Sequence, residues 1–118
     1  MITKKPTIVI YSHMADEASL REICAGIEEE GVLYEIILRN PGTATALSAD
    51  ACEASMLGVG IGICGTSVSL HIKGMNVRQG FDEKTALLSH EHPDAVTARA
   101  LGTNAARIIK KLPLRISS

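Results

Sequence analysis

The chain has 118 residues, enough for one compact hydrophobic core and too few for two ordinary domains. Its formal net charge of -1 is nearly balanced, its largest cationic runs are Lys4-Lys5 and Lys110-Lys111, and it has one Phe, two Tyr and no Trp, so both the electrostatic footprint and the stacking platforms of a nucleic-acid binder are missing. The apolar fraction of 46% comes mostly from Ala, Ile, Leu and Val, and no apolar run approaches the roughly 20 residues that cross a bilayer.

Residues 1–5 and Pro6 lead into a short apolar run that lacks the length and the small-residue cleavage site of a signal peptide. The β-branched stretch 7–12 is expected to be a buried first strand, followed by a polar loop at 13–17. Leu20, Ile23, Cys24 and Ile27 recur at helical spacing, with Asp16 or Ser19 as the cap and Gly31 as the stop. A second strand is expected over 32–38, a turn at Asn40-Pro41-Gly42 and an Ala-rich helix over 43–56. Val59, Ile61 and Ile63 alternate with Gly60 and Gly62, the period of a strand whose second face carries no side chains. Cys64-Gly65-Thr66 turns that strand into another over 67–72. Residues 73–84 read as a surface loop, 85–89 as a last strand, and Pro93 as the opening of a helix that runs to about Lys111 and stops before Pro113. The order β-α-β-α-β-β-β-α gives an α/β fold: a small layered domain with a mixed, mostly parallel sheet flanked by helices. The whole of 1–118 reads as a single domain, frayed at about 1–5 and 117–118.

Few residue patterns point to chemistry. Gly60-Ile61-Gly62-Ile63-Cys64-Gly65 satisfies G-x-G-x-x-G, but a strand pattern follows it where a dinucleotide site needs a helix N-terminus, so a close helix contact or a subunit interface is the better account of the glycines. His90 and His92 are two apart with no carboxylate or cysteine pattern beside them, and His13 and His71 are remote, which is unlike a zinc signature. Cys24, Cys52 and Cys64 are odd in number and widely spaced; they suit a reducing cytoplasm better than a disulfide framework. Cys64 has no sequence neighbour to lower its pKa. No nucleophile triad, phosphate loop or paired carboxylate stands out, and no catalytic residue is assigned. Glu28-Glu29-Glu30 places three carboxylates at the unfavourable pole of the first helix, which on general grounds is a solvated surface.

The run Arg99-Ala100-Leu101-Gly102-Thr103-Asn104-Ala105-Ala106-Arg107-Ile108-Ile109-Lys110 carries small residues, Gly102 to Asn104, through a helical apolar pattern, which suggests a close approach. Together with Gly26-Ile27-Glu28-Glu29-Glu30-Gly31 and Gly58-Val59-Gly60-Ile61-Gly62-Ile63, in that order along residues 7–116, it resembles the small subunit of the diol/glycerol dehydratase reactivating factors. The resemblance implies a chaperone-like partner of an adenosylcobalamin enzyme, whose fold is like that of the dehydratase medium subunit. It implies an actin-like ATPase large subunit that binds ATP, an Mg²⁺ at the interface to which Glu29 contributes a carboxylate, and no cofactor in this chain alone. It further implies exchange with the medium subunit on the dehydratase large subunit, with release of damaged cobalamin. Gly60, Gly62, Gly102 and Asn104 are the interface or close-packing candidates. The expected setting is the cytoplasm, open or within a bacterial microcompartment, in propanediol or glycerol metabolism.

Two alternatives stay open. One is the dehydratase medium subunit itself or a fragment of it, against which stand the short Cys64-Gly65 turn, where that subunit has a longer one with a cofactor-contacting lysine, and the end of this sequence soon after the Asn104-Ala105-Ala106-Arg107 helix. The other is a freestanding α/β domain that binds a small ligand.

Overall fold

The computed structural model describes residues 6–73 and 85–110. The expectations for the chain ends, for the loop at 74–84 and for a helix stop ahead of Pro113 lie outside the described residues. Five strands and three helices follow in the order β1 (Ile8–His13), α1 (Glu17–Glu29), β2 (Tyr34–Leu38), α2 (Ala44–Ala54), β3 (Val59–Cys64), β4 (Ser67–Lys73), β5 (Thr85–His90) and α3 (Ala95–Lys110). They build one mixed sheet in the order β2-β1-β3-β4-β5. β1 pairs in parallel with β2 and β3, while β4 runs antiparallel to both β3 and β5, so β4 alone is reversed.

Strand alternation decides which helix sits on which face. Ile8, Ile10, Val59, Ile61, Ile63, Val68, Leu70 and Ile72 point to one side and form the main core with Ile23, Cys24 and Ile27 of α1 and Ala98, Leu101, Ala105 and Ala106 of α3. Fully burying each such isoleucine contributes about 1.5–3 kcal/mol. Val9 and Tyr11 point to the other side, where they meet Leu47 and Ala51 of α2. Gly60, Gly62 and Ser69 share that second face with them, and α2 packs over β3, β4 and β1 there.

Local chemistry sets the element ends. Asp16 caps α1 by accepting from Ser19 N at 3.0 Å and from Ser19 Oγ at 2.9 Å. Gly31 ends that helix with φ 74°, its N–H reaching the Glu28 carbonyl at 3.0 Å, the left-handed cap that favours glycine. Gly65, at φ 60°, takes the first of the two central positions between Cys64 and Ser67, where a II′ hairpin places glycine.

Three boundaries differ from the sequence reading. Val32 and Leu33 precede β2; α2 is capped by Thr43, whose hydroxyl accepts from Ala46 N, and ends at Ala54. Pro93 stands outside α3, because Asp94 takes the cap position and accepts from Thr97 N at 2.7 Å. That bond holds the Asp94 carboxyl below its ordinary range.

Candidate functional site

The acidic end of α1 lies against α3, and two glycines let the helices touch. A Cβ on Gly26 would run into the Arg99 carbonyl oxygen, with Thr103 N at 2.7 Å and Thr103 Oγ1 at 2.8 Å. A Cβ on Gly102 would run into the Ile23 carbonyl oxygen. Gly102 therefore answers the close approach suggested by its sequence, and its counterpart is α1. Thr103 Oγ1, buried beside Gly26, has no hydrogen-bond partner among the described residues. Asn104 is partly buried on the same helix.

Around this contact every carboxylate of the acidic trio has a partner. Arg99 donates through Nε to Glu22 Oε1 at 2.9 Å and through Nη1 to Glu29 Oε2 at 2.8 Å. Glu30 pairs with Arg107 at 3.2 Å and Lys110 at 3.1 Å. The Lys110 ammonium also donates to the Glu30 carbonyl oxygen at 2.7 Å, which satisfies an orphan acceptor at the helix end. The hydrogen bond from Lys110 is the main reason the Glu30 carboxyl sits below its ordinary range. Tyr34 donates its hydroxyl to Glu28 Oε2 at 2.6 Å, and losing that bond to a carboxylate is what pushes the phenol pKa up. The unfavourable pole of α1 is thus offset by cations from α3, while Glu28 and Glu29 themselves stay exposed.

Glu29 is the least enclosed of the paired carboxylates on this seam, with its side chain 51% exposed against 29% for Glu22 and 13% for Glu30. A half-exposed carboxylate suits a hard cation. Among the described residues no group of three His, Cys, Asp or Glu could hold a metal ion.

Gly60 and Gly62 lie beneath α2. A Cβ on Gly60 would collide with Cys52 N and, at 2.5 Å, with the Ala51 carbonyl carbon, and one on Gly62 would meet the Ala44 carbonyl oxygen and Ser48 N. Their face is filled within the chain. The glycine pattern leads into β4 rather than a helix, and the two loops at the strand ends bond to each other: Asp16 N donates to the Gly65 carbonyl at 2.7 Å, and Gly65 N to the His13 carbonyl at 3.2 Å. At this switch point of the sheet, where open α/β folds usually hold ligands, the N-terminus of α1 is capped by its own Asp16.

The remaining candidates stay apart. His13 Nδ1 donates to the Arg39 carbonyl at 3.2 Å, His92 hydrogen-bonds Thr66 Oγ1 at 2.7 Å, and His90 is exposed at the end of β5. Burial pushes the thiols of Cys24 and Cys52 up, away from nucleophile behaviour, and Cys64 is partly buried at the end of β3. No described helix is long and apolar enough to cross a membrane.

Residues 5–115 match the family model of the dehydratase medium subunit. The chain belongs to the dehydratase medium subunit family. Within this family it is 34% identical over 111 residues to the propanediol dehydratase-reactivating factor small subunit of Salmonella typhimurium, covering 93% of this chain and 90% of that one. It is 32% identical over 110 residues to the diol dehydratase-reactivating factor small subunit of Klebsiella michiganensis, covering 93% and 84%. Among solved structures, a chain of the diol dehydratase-reactivating factor complexed with ADP and Mg²⁺ superposes with a TM-score of 0.76 at 29% identity, over 96% of this chain and all of that one. A chain of glycerol dehydratase reactivase gives 0.74 at 28% identity, over 95% and 98%. The resemblance read from the three motifs is that of the reactivating-factor small subunits in this family, and the mixed α/β sheet is theirs.

Sequence reasoning missed Arg99, Arg107 and Lys110 as partners of the acidic trio, and Gly26 as the counterpart of Gly102. A signal was there. Arg99, Thr103, Arg107 and Lys110 recur at helical spacing on α3, opposite Glu22, Gly26 and Glu29 at helical spacing on α1.

Proposed function

We propose that this chain is the non-catalytic small subunit of an ATP-dependent reactivating factor for an adenosylcobalamin-dependent diol or glycerol dehydratase. The observation that carries the reading is the near full-length match, in sequence and fold, to small subunits of such factors. A large, actin-like ATPase subunit would bind and hydrolyse the nucleotide. This chain would supply shape and interface chemistry, standing in for the medium subunit on the dehydratase large subunit while damaged cobalamin leaves. The site would lie in the cytoplasm, free or in a microcompartment.

Within that assembly Glu29 would hold an Mg²⁺ jointly with the large subunit, and the metal would supply a tie between chains. Its partner Arg99 keeps a second anchor in Glu22, so α1 and α3 stay joined when Glu29 turns to another chain. Glu29→Gln is therefore expected to weaken binding to the large subunit at least about tenfold in Mg²⁺, the loss of roughly one charged ligand bond, and to change little in chelator. Calorimetry on the purified subunits reads this directly, with Glu28→Gln as a control whose carboxylate is engaged by Tyr34. An equal effect of both substitutions, or a Glu29 effect that persists in chelator, removes the metal bridge. Failure of the chain to bind any such large subunit removes the larger reading.

A further inference from the structure

β2 ends one side of the sheet, and its outer edge has no strand partner among the described residues. Its hydrogen-bonding direction is fixed by its inner neighbour. The Leu33 carbonyl accepts from Ile8 N at 3.0 Å and Arg39 N donates to the Ser12 carbonyl at 2.8 Å. Backbone groups alternate along a strand, so Tyr34, Ile36 and Leu38 aim their N–H and C=O groups outward. The edge is apolar on both faces: Ile36 is 42% exposed, Ile37 37% and Leu38 82%. An unprotected strand of this kind is a template for another strand.

The charges on the edge say which strand fits. An antiparallel copy must oppose even-numbered residues to even-numbered ones if the outward groups are to bond. A two-fold axis at Glu35 would set two carboxylates against each other, and one at Ile36 would set Glu35 against an isoleucine. An axis at Ile37 sets Glu35 opposite the partner's Arg39 and Arg39 opposite the partner's Glu35; to meet there, Glu35 turns from Thr7 Oγ1, from which it accepts at 2.7 Å, and Arg39 from the Tyr11 ring, over which its guanidinium lies at 4.5 Å. It also sets Ile37 opposite its own copy. On the other face Ile36 lies opposite the partner's Leu38, and the two residues exchange both backbone hydrogen bonds. Opposite charges and apolar pairs facing across an antiparallel ladder are the stabilising arrangements.

We propose that this edge is covered by a second copy of the chain, β2 pairing antiparallel with the partner's β2 about a two-fold axis at Ile37 to form one continuous sheet. The interface is isologous and closes on itself. It goes beyond the reactivating-factor reading and does not depend on it.

The test is sedimentation equilibrium of the full chain alone over a wide concentration range, with amide exchange at Tyr34, Ile36 and Leu38. The mass should rise from monomer to dimer, and the three amides should gain protection in step. Glu35→Arg should raise the dimer dissociation constant at least about tenfold by setting two guanidinium groups against each other, and the double variant Glu35→Arg with Arg39→Glu should restore it. Ile36→Pro removes only an outward N–H, a position where an edge strand tolerates proline, so it should abolish the dimer while the melting temperature of the monomer holds. A chain that stays monomeric at its highest soluble concentration overturns the proposal. So does a dimer indifferent to Ile36→Pro, a charge swap that fails to restore, or protection of the three amides that comes only when a large subunit is added.

Discussion

Lys110 is placed to do two things at once: its ammonium caps the carbonyl end of α1 and pairs with the Glu30 carboxylate. The second contact makes stability depend on pH in a definite direction. The Glu30 carboxyl is held below its ordinary value of 4.5 when folded, so its contribution is complete above that value and is lost as pH falls through the lower, folded-state value. Melting temperature should therefore drop between about pH 5 and pH 3, and the drop should be shallower in Lys110→Met, which frees Glu30 from its main perturbing partner. Asp94 acts in the same window, which is why the difference between the two melting profiles, and not either alone, is the readout. Identical slopes would mean that the pair contributes nothing. Neither half of the pair announced the other in the sequence. Three adjacent glutamates are easy to see, but their partners are 70 and 80 residues away, and only the crossing of α1 and α3 brings them within reach.

The crossing itself sets two element-scale forces against each other at Gly102. In an exposed helix interior Gly→Ala stabilises by about 0.8–1.0 kcal/mol through propensity alone. Here a Cβ would drive into the Ile23 carbonyl oxygen and come within 2.8 Å of its carbon, both backbone atoms that move only if α1 moves. Overpacking costs typically about 1–3 kcal/mol, so after the propensity gain Gly102→Ala should lower stability by a net of up to about 2 kcal/mol, toward the upper end because the blocking atoms are backbone. Urea denaturation of the purified variant gives the sign, and a stabilised variant would mean that the helices are not in contact there. Gly60 and Gly62 are the same device on the other face, beneath α2. This layer of the structure was legible: glycines alternating with β-branched residues can only mark a face that something covers closely, and small residues inside an apolar helix say the same. What covered each face was not legible, because a missing side chain carries no information about its neighbour. The helix periods were equally clear, whereas the start of α3 was misplaced because Asp94 outcompetes Pro93 for control of the boundary: its carboxylate satisfies a free N–H, and proline only avoids wasting one.

At the scale of the molecule, the arrangement of strands creates the place where an open α/β sheet would bind a ligand, between the ends of β1 and β3, and then fills it. The His13, Asp16 and Gly65 backbones bond to one another across it, and the turn into β4 is too short to leave a phosphate cradle. A nucleotide or a cobalamin tail would need free amides or a helix N-terminus at that point, and the α1 terminus is already occupied by the Asp16 carboxylate, a negative charge facing any phosphate. The isolated chain is therefore expected to show no ATP hydrolysis and no tight cobalamin binding, with calorimetric titration of each ligand as the check. This outcome separates the readings that the sequence left open. A medium subunit of the dehydratase, or a freestanding ligand-binding domain, would take cobalamin directly, whereas a subunit that works by taking another's place needs only the outer shape of the fold. Saturable cobalamin binding by the purified chain, weakened when Asp16→Asn perturbs the loop pair, would return the protein to the enzyme side of its family.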